Sequence, residues 1–143
     1  VSRVAENKRI LARVLRLLKD IGLEDPALAA KAAQIEIRLT ALEATALRLL
    51  STFDGGGKVG AEPSMLKLQG SQLVQVQDQL LFEIAGLYGL PLDAESRQTP
   101  NLPIYHDTVD MIGSALFHHR GYTIAGGASE VQRNIIAQQV LGL

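Results

Sequence analysis

The sequence predicts an all-α fold, an up-and-down four-helix bundle with a short extra helix. Apolar residues recur at steps of three and four in several long segments, which is the period of one helix face. No segment alternates convincingly between apolar and polar residues, as a half-buried strand would. Glycines, prolines and capping residues separate the apolar segments, as they do at helix ends. We therefore expect one helical domain over residues 1–143.

The first helix is predicted over roughly residues 4–21. Its basic side chains lie largely off the apolar stripe, so we interpret them as a solvated face rather than a binding patch. Gly22 stands where a glycine would end the helix, and Lys19 lies in its last turn. The stripe consists of Val4, Leu11, Val14, Leu15, Leu18 and Ile21.

The second helix is predicted to begin at Asp25-Pro26, because Asp25 can accept from the first free amides and Pro26 fits the first helical position. Its regular apolar stripe is typical of a helix packed lengthwise, in a bundle or a coiled coil. The bundle is favoured because further long helices follow. The stripe is Leu28, Ala32, Ile35, Leu39, Leu42, Ala46 and Leu49, and further apolar residues off it, among them Ile37, Leu47 and Leu50, indicate a second neighbour.

Gly55-Gly56-Gly57 ends that helix, and since no strand precedes it, a flexible connection is favoured over a phosphate loop. Pro63-Ser64 opens a third helix that is predicted to end near residues 86–89. Gly70 interrupts this helix and indicates the close approach of another one. The apolar face of the third helix is Leu66, Leu73, Leu80, Ile84 and Leu87.

Residues 91 to about 103 contain three prolines, which argues against a regular element there. A shorter helix is predicted over residues 105–118. The last helix is predicted over residues 129–140, with Ser129 and Gln132 at the two positions of a capping box. One side of the last helix is expected to be buried through Val131, Ile135, Ile136 and Val140.

The composition excludes several classes of protein. A formal net charge of -1 leaves no electrostatic footprint for nucleic-acid binding. The absence of cysteine excludes disulfides and thiolate metal sites, and it fits a cytoplasmic protein. No apolar run approaches the roughly 20 residues that a membrane span needs. No signal peptide opens the chain, and its start inside helix-like sequence indicates a piece of a longer protein.

The histidines do not predict a metal site. His118 and His119 are adjacent, so on a helix they point about 100° apart and cannot chelate one ion. His106 and Asp110 lie four residues apart and could share a helix face, but no third ligand is evident. No serine lies in a nucleophile-elbow pattern, which argues against a serine hydrolase.

The most informative segment is 122–136, in which Gly126 and Gly127 lead into the start of the last helix. Glycine lets backbone approach a ligand closely, and the free amides of a helix start attract polar or anionic groups. Most glycine pairs before helices are only turns, so this pattern alone is a weak indication.

The string TIAGGASEVQRNIIA at 123–137, followed by VLGL at 140–143, closely resembles the C-terminal signature of acyl-CoA dehydrogenases. The remaining helices are similar to that family's C-terminal bundle in pattern only. The family's N-terminal helical domain, its middle β-domain and a flavin-contacting arginine segment have no counterpart here. The resemblance therefore implies a C-terminal fragment of a longer flavoenzyme.

The resemblance also implies an activity. The family oxidises an acyl-CoA to the trans-2-enoyl-CoA: a carboxylate removes the α-proton while a hydride passes from the β-carbon to FAD. It implies a role in fatty acid metabolism, a homodimer or homotetramer, and an electron-transfer protein as acceptor. We expect no catalysis from the fragment alone, because half of a flavin site cannot hold the cofactor in register.

In many members a glutamate base occupies the position of Gly126, so this chain has no catalytic residue at the usual place. Some members supply the glutamate from an earlier helix, which would put it before Val1, and we favour this interpretation. The alternative is a catalytically silent helical subunit or domain that serves oligomerisation. An unrelated helical binding module would require the signature to be a coincidence.

The family's other site positions map onto two places in the chain. Gly127 matches the position whose backbone lies against the acyl-CoA thioester. Ala128, Ser129 and Glu130 match positions that contact FAD, although threonine is common where Ala128 stands. Around Glu83 and Gly86 the sequence weakly resembles the glycine loop that reaches a partner subunit's FAD, with Glu83 in place of the usual glutamine. The resemblance thus implies two separate contacts with flavin.

Overall fold

The structure is a computed structural model that describes residues 3–21, 24–90, 109 and 111–143. It contains the helices α1 (Val4–Ile21), α2 (Pro26–Asp54), α3 (Glu62–Ala85), α4 (Ile112–His118) and α5 (Ser129–Ile136). Short 3₁₀ segments, Gly86–Gly89 and His119–Thr123, follow α3 and α4, and a π-helical turn, Ala137–Leu141, follows α5. The described residues include no strand, which confirms the predicted all-α fold. None of their helices combines the length and apolar character of a membrane span.

Helix α3 is the centre of the bundle, since it packs against α1, α2, α4 and α5. More than half of its residues are buried, including polar ones. Because this helix has neighbours on several sides, it cannot have the single apolar stripe of a surface helix. The apolar core around it is formed mainly by Leu11, Val14, Leu17, Leu28, Ala32, Ile35, Leu39, Leu42, Leu66, Leu73, Leu80, Leu81, Ile84 and Ile112.

The predicted boundaries of α1 are confirmed, but its buried face is displaced from the predicted stripe. Leu17, which was not assigned to the stripe, is fully buried, whereas Leu15 is 47% exposed. Each residue turns the helix by about 100°, so Leu15 lies on the side of Val14 that faces away from Leu17. Asn7 is also fully buried on this face. The predicted cap Gly22 lies outside the described residues.

The prediction for α2 is confirmed at both ends and along its stripe. The Asp25 carboxylate accepts from the backbone amide of Ala27 at 2.8 Å, and Pro26 is the first helical residue. The helix ends at Asp54, and Gly55 donates to the Ser51 carbonyl at 3.1 Å. Every stripe residue is buried or packs against the core.

The predicted face of α3 is confirmed except at Leu87, which is 80% exposed. The α-helix ends at Ala85, so Leu87 lies in the following 3₁₀ segment and no longer follows the periodicity of α3. Gly70 is buried, and the Asn7 side-chain amide donates to its carbonyl at 3.2 Å. This contact confirms the predicted close approach of another helix at Gly70.

The predicted helix over residues 105–118 is confirmed for Ile112–His118, and Val109 is also helical, but Met111 interrupts it. Met111 has a left-handed backbone with φ of 62°, so a new helix, α4, begins at Ile112. A left-handed residue cannot continue a right-handed helix. The proline-rich segment 91–103 and residues 105–108 lie outside the described residues.

Two predictions for α5 are wrong. Ser129 does not cap the helix: the residue before the first turn is Ala128, and the Ser129 hydroxyl instead donates to the Thr123 carbonyl at 3.2 Å. The buried side chains of α5 are Ser129 and Gln132; of the predicted apolar face, Ile135 and Ile136 are half-buried, whereas Val131 and Val140 are at least half exposed. These two polar side chains, Ser129 and Gln132, donate to the carbonyls of Thr123 and Gly126, in the segment that precedes the helix.

The difference between Leu17 and Leu15 gives a test of this packing. Truncating the fully buried Leu17 to alanine removes core contacts and leaves a cavity, which costs about 3–5 kcal/mol. Leu15→Ala, a matched change two residues away on the same helix, should cost less than about 1 kcal/mol. Urea unfolding of both variants measures the difference, and equal losses would contradict the assigned face.

Candidate functional site

The segment 124–128, here called the glycine turn, connects the second 3₁₀ segment to α5. Gly126 and Gly127 have φ values of 74° and 101°, which ordinary side chains rarely adopt. The Gly127 amide donates to the Ile124 carbonyl at 3.1 Å, closing a tight turn. Ile124 and Gly126 are exposed. The turn therefore brings backbone to the surface at the start of a helix.

The two glycines differ in the space around them. A Cβ on Gly127 would overlap the side-chain amide of Gln132, so a substitution there requires that flexible side chain to move, in addition to the strain from φ. A Cβ on Gly126 would have none of the described atoms within 4 Å. The position that the family resemblance assigns to a catalytic base thus has open space and no carboxylate.

Lys67 on α3 lies under the glycine turn, and the sequence analysis missed it. Its ammonium donates to the Gly127 carbonyl at 2.5 Å, and only 9% of the residue is exposed. Burial lowers the pKa of Lys67, the nearby charge of Arg3 adds to this shift, and Glu130 opposes it. The available signal was a lysine between Leu66 and Leu68, within the buried part of a helix.

The first turn of α5 offers backbone rather than side chains. Among the described residues no side chain caps this helix. The Ser129 hydroxyl points back to Thr123, and the Glu130 side chain is 78% exposed at 3.6 Å from Arg133. Helix-start amides carry the positive end of the helix dipole, so this turn can receive a polar or anionic ligand.

An ion-paired cluster joins the start of α1 to the segment before the glycine turn. Tyr122 donates to Glu6 at 3.0 Å, Arg3 donates to Glu6 at 2.7 Å, and the Arg3 guanidinium stacks 3.5 Å above the Tyr122 ring. Burial alone would raise the pKa of Glu6, but the hydrogen bonds from Arg3 and Tyr122 outweigh it and hold the pKa below its usual value. These contacts stabilise the ionised carboxylate of Glu6, which is therefore poorly suited to accept a proton.

His119 fixes the same segment to α3. Its Nδ1 lies 2.6 Å from a carboxylate oxygen of Asp78, which is 2% exposed, and Gln75 donates to the His119 carbonyl at 3.1 Å. Burial raises the pKa of Asp78, and the contact with His119 offsets part of that shift. The contact with Asp78 gives His119 a structural role that does not involve a metal.

The metal candidates gain no support from the structure. In the described part of the chain, no three histidine or acidic side chains come together as ligands. The rings of His118 and His119 meet edge to face, with centroids 5.6 Å apart. His106 and Asp110 lie outside the described residues.

The remaining two predicted site residues, Glu83 and Gly86, lie at the other end of α3. Lys31 on α2 binds both carboxylate oxygens of Glu83, at 2.6 and 2.8 Å. Gly86 ends α3 with φ of 54°. Lys67 and Glu83 are 16 residues apart on one helix, a rise of about 24 Å. The structure brings residues 126–130 together and separates them from Glu83 and Gly86.

Most of the chain matches a known protein family. The family model described as "Acyl-CoA dehydrogenase, C-terminal domain" matches residues 9–141. No curated protein sequence matches the chain significantly. A solved structure of a variant of the Tcur3481-Tcur3483 steroid ACAD has a TM-score of 0.77 at 21% identity. The match covers 98% of this chain and 35% of that one, so this chain spans about a third of that protein's length and shares its fold over that part.

The requirement for glycine can be tested at both positions of the pair. Gly126→Ala and Gly127→Ala each put a side chain on left-handed backbone, at about 1–2 kcal/mol. Gly127→Ala should cost more, because Gln132 must also move. Removing that side chain in Gln132→Ala should bring the two costs closer together in a double-mutant cycle. Equal unfolding free energies for the two single variants would contradict this packing.

The acidity of Glu6 predicts a pH dependence. Because the folded pKa lies below the ordinary 4.5, Glu6 contributes stability above that pH and loses it as pH falls through the folded value. Glu6→Gln should therefore be less stable than wild type at pH 7, with a difference that shrinks in acid. Thermal unfolding between about pH 3 and 7 measures it. Glu43→Gln, which breaks an exposed pair with Lys8, is the control; a Glu6 difference that grew in acid would refute the assignment.

Proposed function

Because the chain belongs to the acyl-CoA dehydrogenase family, whose C-terminal domain matches residues 9–141, we propose that it presents the glycine turn to FAD and an acyl-CoA. It would act as the C-terminal domain of an enzyme that oxidises the thioester to its trans-2-enoyl product. The single observation that carries this proposal is the exposed, doubly left-handed turn that leads into an uncapped helix start. Such backbone donates hydrogen bonds without a side chain in the way.

The residues of the turn fit this cofactor and substrate. FAD, when bound, would supply the hydride acceptor. The backbone of Ala128, Ser129 and Glu130 would hold it, since the Ser129 hydroxyl is engaged with Thr123 and the Glu130 side chain is largely exposed. Gly127 would lie against the thioester, where hydrogen bonds to the carbonyl make the α-proton more acidic. The absence of a Cβ at Gly126 leaves room for the acyl group beside the turn.

The base is proposed to come from the chain before Val1. Arg3, at the start of α1, stacks on Tyr122, which lies four residues before Gly126. The start of α1 therefore contacts the segment that leads into the turn. A chain entering α1 from this side can bring a carboxylate to the open space at Gly126. Glu6 is a poor candidate because Arg3 and Tyr122 lower its pKa, whereas a base needs a pKa nearer the working pH.

The opposite end of α3 is proposed to serve a second flavin, held by a partner subunit. Glu83 lies about 24 Å along α3 from Lys67, and Gly86 follows the end of that helix, which suits two separate sites better than one. The bidentate contact with Lys31 compensates the charge of Glu83, so the carboxylate need not repel a pyrophosphate.

The longer protein that contains this chain should be yellow, and it should oxidise an acyl-CoA when an artificial electron acceptor is supplied. Visible absorption and dye reduction measure both. Replacing the proposed glutamate before Val1 by glutamine should abolish turnover and leave the flavin bound. Adding Gly126→Glu to that variant should restore part of the turnover, because position 126 has space for a side chain. A protein that stays colourless after incubation with FAD would contradict the proposal. A yellow protein without turnover on any acyl-CoA would favour the silent subunit.

A second role, oligomerisation, is favoured by one observation. Leu47, Leu50 and Phe53 are 60%, 59% and 67% exposed near the end of α2. Residues three apart are neighbours on a helix surface, so these side chains form one apolar patch. Patches of this kind mark protein contacts. We propose that this patch joins subunits of a dimer or tetramer, the assembly in which a partner's flavin could reach Glu83.

Charges on that patch should weaken the assembly. Leu47→Lys combined with Leu50→Lys should lower the mass measured by light scattering, because a lysine cannot be buried in an apolar contact without a partner. Ile37→Lys, an exposed residue about 140° around the helix from Leu50, is the control. An unchanged mass for the double variant would exclude the patch as the interface.

A further inference from the structure

A lysine under a glycine turn is unusual enough to need a reason. Lys67 is 9% exposed, and taking a charged group out of water is costly unless a partner compensates it. Its ammonium donates to the Gly127 carbonyl at 2.5 Å, across 60 residues of sequence. A methionine of similar length would fill the same space without that cost. The interaction with the Gly127 carbonyl is what the lysine adds.

This contact determines the direction of a backbone amide. The described peptide bonds are all trans, so the Gly127 carbonyl and the Ala128 N–H of the same peptide unit point in opposite directions. The carbonyl points to Lys67 on α3. The Ala128 N–H therefore points away from α3. Ala128 is the residue that precedes the first turn of α5.

Glycine makes this orientation easy to lose. Gly127 has no Cβ, so its peptide can rotate with less steric hindrance than a peptide after any other residue. Gln132 restrains the neighbouring peptide only weakly, through a 3.5 Å contact with the Gly126 carbonyl. In the part of the chain that the structure describes, the hydrogen bond from Lys67 to the turn is therefore shorter than the one from Gln132.

We propose that Lys67 is a positioning residue, which holds the Gly127 carbonyl against α3 and so aims the Ala128 N–H outward at the cofactor. This inference rests on the proposed function, because the cofactor is FAD. Lys67 touches neither FAD nor the substrate; it acts through the backbone of the turn. A hydrogen bond to a charged group is worth enough to change flavin affinity by about tenfold or more.

The test uses the longer protein and three variants. Lys67→Met keeps the length and removes the donor, Lys67→Arg keeps a charged donor, and Lys8→Met removes an exposed lysine from the same domain as a control. The measurements are the dissociation constant for FAD, the visible flavin spectrum, the melting temperature, and hydrogen exchange of the peptide covering residues 121–130.

Lys67→Met should bind FAD about tenfold more weakly or worse and exchange faster at the turn, while its melting temperature stays close to wild type. Lys67→Arg should recover part of the affinity, and Lys8→Met should match wild type. Unchanged affinity and exchange in Lys67→Met would overturn the inference. So would a large fall in melting temperature that arginine does not rescue, since that indicates a purely structural lysine. If the wild-type protein binds no FAD, the proposed function is wrong, and so is the claim that the Ala128 N–H points at flavin. Faster exchange in Lys67→Met would then support only the claim that Lys67 restrains the turn.

Discussion

Polar side chains buried along α3 need hydrogen-bond partners inside the protein, and this requirement determines where the candidate site lies. Lys67 finds the Gly127 carbonyl, Asp78 finds His119, and Gln77 donates to Asn7 at 2.6 Å. Unpaired buried polar groups would each cost on the order of 1–3 kcal/mol, more than most single contacts contribute. The segment before α5 therefore packs against α3 at these polar groups, and Ser129 and Gln132 of α5 turn inward to bond to the carbonyls of that segment.

This arrangement leaves apolar surface outside. Val131 and Val140 on the last helical segment, and Leu47 and Leu50 on α2, are at least half exposed. In a chain that spans about a third of the length of the solved structure it resembles, such surface is available to other domains or subunits. The buried polar side chains of α3 hold the glycine turn, and the apolar outer faces are the surface on which we propose contacts between subunits.

Local signals in the sequence predicted much of the fold. The Asp25 cap, the stripe of α2 and the glycine signature before α5 depend on neighbouring residues, so they could be identified without tertiary information. Lys67 could not be identified as a site residue, because its partner is 60 residues away and lysine is ordinarily a surface residue. The inward face of α5 was mispredicted because apolar residues were expected to be buried, whereas Ser129 and Gln132 turn inward to bond to the Thr123 and Gly126 carbonyls. Open space at Gly126 likewise depends on distant chain segments.

The central claim is that backbone at the glycine turn meets the flavin. The most direct measurement is an experimental structure of the longer protein with FAD bound. The account predicts that a backbone nitrogen of residues 128–130 lies at hydrogen-bonding distance, about 3 Å, from a polar atom of FAD. A flavin bound elsewhere, with the turn covered by another protein segment, would contradict it.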